Sequence, residues 1–85
     1  MRSELVCDLT TLLHRFDPLK LVPMGAPADE YRSEAETIAQ RVGEAHTAED
    51  LERIAHEEFV AWFSPELAGP REHYRTFARE AWALI

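Results

Sequence analysis

The stretch that decides the fold is residues 47–63, TAEDLERIAHEEFVAWF. Its apolar side chains recur at spacings of three and four, which places them on one face of an α-helix; they are Leu51, Ile54, Ala55, Phe59, Trp62 and Phe63. Thr47 precedes the run as a helix cap, and Asp50 puts negative charge in the first turn, where the helix dipole favours it. We therefore predict an amphipathic helix here, ending near Ser64 and Pro65.

Two helices are predicted before this stretch. The first covers roughly residues 4–16, is capped by Ser3, and ends at Asp17, because a residue followed by proline is biased out of the helical region. The second begins in a capping box formed by Ser33 and Glu36, or alternatively at residues 27–29 with proline in its first turn. Its inward face holds Tyr31, Ala35, Ile38, Ala39 and Val42, and Gly43 terminates it.

The remaining sequence predicts one short helical turn and one more helix. Residues 64–67 add the turn, and Gly69 breaks it. Pro70 then opens the last helix, since proline is well tolerated at a first helical position. The side chains predicted to face inward there are Tyr74, Phe77, Ala78, Ala81 and Trp82.

These elements predict an all-α fold, a small bundle of about four helices, with residues 1–85 forming a single helical domain. We expect Leu51, Ile54, Phe59, Trp62, Phe77 and Trp82 in its core. A proline-rich ordered loop, residues 17–28, joins helices 1 and 2. Its apolar residues either cover the core or form an exposed patch for a partner; they are Leu19, Leu21, Val22 and Met24.

The charge of the chain is unevenly distributed. The formal net charge is −7, and residues 29–58 account for the excess with ten acidic residues and three arginines. Phosphate backbones and anionic membranes attract the opposite sign, so we expect no nucleic-acid or membrane partner. Residues 1–4 are not followed by the apolar segment of a signal peptide, and Cys7 is the only cysteine, so we expect a cytoplasmic protein without an internal disulfide.

The sequence carries no recognisable catalytic, metal or cofactor signature. The four histidines do not show the i, i+4 spacing of a helical metal site; they are His14, His46, His56 and His73. His56 followed by Glu57 and Glu58 does place a base beside two acids. A small metal-dependent, hydrolase-like enzyme using these three residues is therefore the alternative functional hypothesis.

Two charged groups are candidate partner-binding sites. The first group surrounds the start of the second helix and comprises Asp29, Glu30, Tyr31 and Glu34. The second is a basic ridge formed by Arg71, Arg75 and Arg79, one helical turn apart. Intrachain acids, namely Glu72, Glu80 or those of the middle helices, would offset the ridge; the alternative is an acidic partner surface.

The apolar end of the chain, AWALI at residues 81–85, predicts a further contact. Exposing Trp82, Leu84 and Ile85 together would create a patch that monomers avoid. This end either folds back on the loop that holds Leu19 and Met24 or packs against a second copy. A homodimer is the expectation we favour.

Three segments resemble a signature of small helical bacterial proteins, mostly of unknown function. They are residues 17–21 (DPLKL), 25–31 (GAPADEY) and 33–38 (SEAETI), and the resemblance extends over roughly residues 16–63. Lys20 stands where the signature has glycine, and Phe16 where it has tryptophan. The resemblance implies a helical fold and no catalytic residue, with Asp17 either capping the first helix or making a turn. Some related proteins are encoded near polymorphic toxins, which implies an immunity-like role.

The leading hypothesis from the sequence is thus a non-enzymatic protein-binding module, immunity-like in role and without cofactor. Its acidic surface, residues 29–58, would meet a basic partner protein, because opposite charges raise association rate and selectivity.

Overall fold

Five α-helices follow one another along residues 2–85, the part of the chain that this computed structural model describes. They are α1 (Arg2–Phe16), α2 (Arg32–Arg41), α3 (Ala48–Trp62), α4 (Pro65–Ala68) and α5 (Arg75–Leu84). Short 3₁₀ turns lie at Val22–Met24, Val42–Glu44 and Arg71–Tyr74. No strand occurs in this part, so the predicted all-α class is confirmed, with four long helices and the single turn α4. Met1, the first residue of the segment that was expected not to be a signal peptide, lies outside residues 2–85.

The core lies where α1 packs on α2 and α5, and where α3 packs on the same two helices. Its largest fully buried side chains are Tyr31, Tyr74, Phe59, Phe77, Leu9, Leu13, Ile38, Leu51 and Ile54. The apolar period of α3 therefore predicted its buried face correctly. Two of the expected core residues are not buried, however: Trp62 is 46% exposed and Trp82 only half-buried. Trp62 is the last residue of α3, beyond the stretch that the neighbouring helices cover.

Two of the predicted helix caps are present. The hydroxyl of Thr47 accepts a hydrogen bond from the backbone N–H of Asp50 at 3.1 Å, and α3 begins directly after it. The hydroxyl of Ser64 accepts in the same way from the N–H of Leu67 at 3.1 Å, at the start of α4. Each serves a free N–H group of a first helical turn, which is why these starts could be read from the sequence.

Three other predicted helix boundaries are wrong. Ser3 lies inside α1, and α2 begins at Arg32 without any side-chain cap, so the Ser33 box does not form. Main-chain turns precede α2 instead; the N–H of Arg32 itself bonds to the carbonyl of Asp29 at 3.0 Å. Gly43 lies within a 3₁₀ turn that tightens the chain after α2, rather than in a left-handed cap.

The loop between α1 and α2 is organised by the carboxylate of Asp17. This buried group accepts hydrogen bonds from the N–H of Leu21 at 2.8 Å, the N–H of Val22 at 3.1 Å and the hydroxyl of Tyr31 at 2.5 Å. Burial alone would raise the pKa of Asp17, but the hydrogen bonds from Tyr31 and the two backbone groups outweigh it and hold that pKa below its usual range. The proline-rich loop is therefore ordered, as predicted.

The apolar residues of this loop divide between the two predicted alternatives. Leu19 and Leu21 pack against the core, and Val22 is half-buried. Met24 points away and is 81% exposed. Leu19 and Leu21 thus cover the core, as the first alternative predicted. Only Met24 is exposed, as the second alternative predicted for the whole group.

Lys20 adopts a left-handed backbone conformation, with φ of 59°. An L-residue with a Cβ atom is strained there by roughly 1–2 kcal/mol, whereas glycine is not. We expect Lys20→Gly to raise the free energy of unfolding by about 0.5–1 kcal/mol, because glycine's larger unfolded-state entropy cancels part of the relief. Urea unfolding measures this. Lys20→Ala removes the same charge but keeps Cβ, so a similar gain in that control would contradict the backbone explanation.

Candidate functional site

One flank of α2 faces the edge of α3. Glu34, Thr37 and Arg41 follow one another at spacings of three and four, so they share this side of α2, and Glu30 lies in the turn just before the helix. Two hydrogen-bonded contacts fix the pairing of the helices. Arg41 bonds Glu58 of α3 at 3.0 Å, and the hydroxyl of Thr37 accepts from the indole N–H of Trp62 at 3.1 Å. The remaining member of the flank, Glu34, lies toward the start of α2.

Arg41 binds three glutamates of the acidic stretch. Its guanidinium group contacts Glu44 at 3.2 Å, Glu57 at 2.8 Å and Glu58 at 3.0 Å. The hydrogen bonds that Arg41 donates to Glu44 and Glu57 raise the pKa of Arg41, and the one to Glu57 lowers the pKa of that carboxyl. Glu57 also pairs with Arg53 at 3.3 Å. Because two arginines offset two of these three carboxylate charges, the group attracts a partner less than three unpaired acids would.

The acids around the start of α2, unlike those bound by Arg41, have no arginine partner among the described side chains. Asp29, Glu30 and Glu36 are exposed and form no ion pair within residues 2–85 as described. Glu34 is only 6% exposed and likewise has no ion-pair partner there. Burial raises the pKa of Glu34, and the nearby Glu30 carboxylate raises it further. This end of α2 therefore carries a cluster of acids without ion pairs among the described side chains.

The structure corrects the assignment of Tyr31 as a partner-binding residue. Its side chain is fully buried, and its ring centroid lies 5.9 Å from that of Phe59. Its hydroxyl donates to Asp17 and accepts from the N–H of Leu19 at 3.2 Å. Burial, together with the hydrogen bond to Asp17, raises the pKa of Tyr31. Tyr31 therefore ties the loop to the core and presents nothing to a partner.

An exposed apolar patch adjoins this acidic end and was not anticipated from the sequence. It lies at the junction of α3 and α4 and consists of Trp62, Phe63 and Leu67, exposed by 46%, 39% and 63%; we call it the aromatic corner. The ring of Phe63 stacks on that of Phe59 at 5.9 Å, which anchors its inner face. The signal for this corner was Ser64 before Pro65, which ends α3 directly after two aromatic residues.

Two of the three arginines of the basic ridge form ion pairs with an acid of the same chain. This was one of the two alternatives predicted for the ridge. Arg71 contacts Glu52 of α3 at 3.2 Å, and Arg75 contacts the other oxygen of the same carboxylate at 3.3 Å. Glu52 is buried, so the pair fixes α5 against α3. Glu80 pairs with another residue, Arg15, at 3.0 Å. The three ridge arginines line a groove of about 600 Å³ that they share with Thr47, Ala48, Glu49, Glu52 and Glu72.

The three residues of the alternative enzymatic hypothesis do not share a partner. The Nε2 atom of His56 lies 3.0 Å from the carbonyl oxygen of Gly69, whereas Glu57 and Glu58 bind Arg41. Across residues 2–85, no group of three or more His, Cys, Asp and Glu side chains is placed to hold a metal ion. No helix in that range is long and apolar enough to cross a membrane.

The end of the described chain does not take the position expected for it within one subunit. Leu84 and Ile85 lie in a groove of about 480 Å³ beside Leu5 and Val42, instead of on the loop between α1 and α2. Both remain about half exposed, at 54% and 52%. A second copy that covered this groove would remove four apolar side chains from water.

We therefore expect this chain to sediment as a dimer at low micromolar concentration. Replacing both Leu84 and Ile85 by serine should shift it to the monomer mass, since the covered apolar area is lost. Met24→Ser is the matched control, because Met24 is the most exposed large apolar residue and lies elsewhere. A monomer mass for the unaltered chain would contradict the expectation.

Comparison with known proteins adds no relative. No protein-family model matches this chain, and neither does any curated protein or solved structure. The functional argument therefore rests on the residues themselves.

Proposed function

We propose that this chain is a non-enzymatic protein-binding module whose acidic surface, within residues 29–58, binds a basic surface of a partner protein. The observation that carries the proposal is the contrast within that stretch. Arg41 contacts Glu44, Glu57 and Glu58, Arg71 and Arg75 contact Glu52, and Glu49 lines the groove of the ridge arginines, while Asp29, Glu30 and Glu34 have no cation among the side chains described for residues 3–85. Charge left unpaired on one side is the arrangement that steers an oppositely charged partner.

An immunity-like role is the form of binding that we favour. The resemblance to small bacterial proteins with that inferred role supports it, and so does the chemistry of the surface. A protein that must cover a basic partner quickly gains association rate from uncompensated acids. We place this binding in the cytoplasm, in keeping with a chain that carries a single cysteine, Cys7.

A selection from a random peptide library displayed on phage tests the proposal. Peptides retained by the immobilised chain should be enriched in lysine and arginine relative to the input library. Retention should fall when Asp29→Asn and Glu30→Gln are combined, because these exposed side chains keep their shape and lose only charge. The control combines Glu4→Gln with Asp8→Asn, which neutralises two exposed acids on α1.

Two outcomes would contradict the proposal. One is a retained set without enrichment in basic residues, or no retained set at all. The other is an equal loss of retention in both double variants, which would show that overall charge matters and the start of α2 does not.

A further inference from the structure

Glu34 is a largely buried glutamate whose carboxylate forms no ion pair among the described side chains. Only 6% of the residue is exposed, and no Lys, Arg or His among residues 3–85, whose side chains are described, forms an ion pair with it. Ionised side chains are rarely buried unless they are paired. Arg41, on the same flank, is already held by three glutamates, and Arg32 lies on the opposite flank beside Val6.

The aromatic corner is connected to Glu34 through Thr37. The hydroxyl of Thr37 donates to the backbone carbonyl of Glu34 at 3.0 Å and accepts from the indole N–H of Trp62 at 3.1 Å. Side chains three residues apart on a helix are neighbours, so Thr37 links the indole of Trp62 to the helical turn that carries Glu34. The hydrogen bond fixes the indole, while 46% of the Trp62 side chain remains exposed.

We propose that Glu34 and Trp62 together receive an arginine side chain of the partner protein, with the guanidinium group stacked on the indole and hydrogen-bonded to the carboxylate. This inference rests on the proposed function and names its central contact. The occupant of the aromatic corner is then a basic segment, because the nearby side chains of Glu30 and Glu34 are negatively charged. Apolar neighbours of that arginine would then cover Phe63 and Leu67.

Arginine fits this site better than lysine for geometric reasons. Its guanidinium group is planar, stacks on tryptophan and offers two parallel N–H donors to one carboxylate. It is also less strongly hydrated than an ammonium group, so placing it beside a largely buried acid requires less desolvation. Binding would supply the missing cation of Glu34, which explains why the fold keeps an acid there at a cost to its own stability.

Nuclear magnetic resonance of the indole N–H groups tests the contact with defined probes. The chain has two tryptophans, Trp62 and Trp82, so two indole signals are expected, and Trp62→Phe assigns them. The probe is the tripeptide acetyl-Leu-Arg-Leu-amide, and its control replaces arginine by citrulline, which has the same shape without the charge. We expect the arginine peptide to shift the Trp62 signal in a saturable manner, the citrulline peptide to have no effect, and the Trp82 signal to stay in place.

Glu34→Gln separates recognition from structure. It should weaken binding of the arginine peptide by about tenfold or more, since a charge-assisted pair is replaced by a neutral one. The melting temperature at neutral pH should stay the same or rise, because an unpaired buried charge is removed. A fall in melting temperature would overturn the inference by showing that Glu34 serves the fold itself.

The remaining outcomes distinguish this inference from the proposed function. If basic peptides are selected from the library but the arginine tripeptide leaves Trp62 unshifted, the inference is wrong and the proposed function stands. An equal response to arginine and citrulline peptides also overturns it, since the site would then recognise shape alone. If the tripeptide binds as expected while the library shows no basic enrichment, the contact holds and the proposed function fails.

Discussion

Phe59→Ala is expected to lower the melting temperature by more than about 12 °C. Phe59 is fully buried, and its ring centroid lies 5.9 Å from that of Tyr31 and 5.2 Å from that of Tyr74. Truncating such a residue removes its contacts and leaves a cavity, at a cost of about 3–5 kcal/mol. In a domain of this size each kcal/mol corresponds to roughly 4–8 °C, and the total stability is only about 4–13 kcal/mol. Thermal unfolding followed by circular dichroism measures the change.

Phe63→Ala is the matched control for this prediction. It removes the same side chain one turn later, from a position that is 39% exposed. Less area returns to water and no closed cavity forms, so a loss of under about 2 kcal/mol is expected. Equal effects of the two substitutions would show that the buried face of α3 has been assigned incorrectly.

Asp17→Asn is expected to lower the free energy of unfolding by about 2–3 kcal/mol at neutral pH. The carboxylate accepts from the N–H groups of Leu21 and Val22 and from the hydroxyl of Tyr31. Asparagine has the same size but replaces one acceptor oxygen by a donor, so one of these buried donors loses its partner. Asp17 also has a positive φ of 48°, which asparagine tolerates well, so the backbone does not account for the loss.

The effect of Asp17 should depend on pH in a defined direction. Its pKa in the folded protein is lower than in the unfolded chain. The stability it contributes is therefore fully present above the unfolded pKa of about 3.9 and is lost as the pH falls through the folded pKa. Urea unfolding of both proteins should show a constant difference from pH 6 to 7 that narrows below about pH 4. A difference that is the same at pH 3 would contradict the role assigned to the ionised carboxylate.

The helical architecture was largely predictable from the sequence because it depends on local rules. The period of α3 and the caps at Thr47 and Ser64 involve residues within one or two turns of each other. The exposure of Trp62 was not predictable in this way. Periodicity assigns a face to the helix, but the length over which neighbouring helices cover that face is set by the tertiary packing.

The hydrogen bond between Tyr31 and Asp17 could not be predicted from periodicity, for a related reason. The two residues are separated by a loop with left-handed conformations at Asp17 and Lys20, and such a path has no repeat to detect. The sequence indicated that Asp17 makes a turn. The sequence placed Tyr31 correctly on the inward face of the second helix, but it did not indicate that the Tyr31 hydroxyl closes this turn, and the assignment of Tyr31 to partner binding was wrong.

The sequence predicted the charge of the candidate site but not the residues that form it. Counting acids placed the negative excess correctly in residues 29–58. Counting did not show that Arg41 gathers three of those acids, or that Glu34 is buried beside the aromatic corner. Both facts depend on how α2 lies against α3, which requires the folded structure.

The most direct test of the proposed binding surface is a chemical-shift map of the ¹⁵N-labelled chain with a basic peptide recovered from the library. We predict that the largest backbone shifts fall at the start of α2, around Glu30 and Glu34, and at the end of α3, around Trp62 and Phe63. Shifts centred instead on Arg71, Arg75 and Arg79 of the basic ridge, with the start of α2 unchanged, would contradict the account.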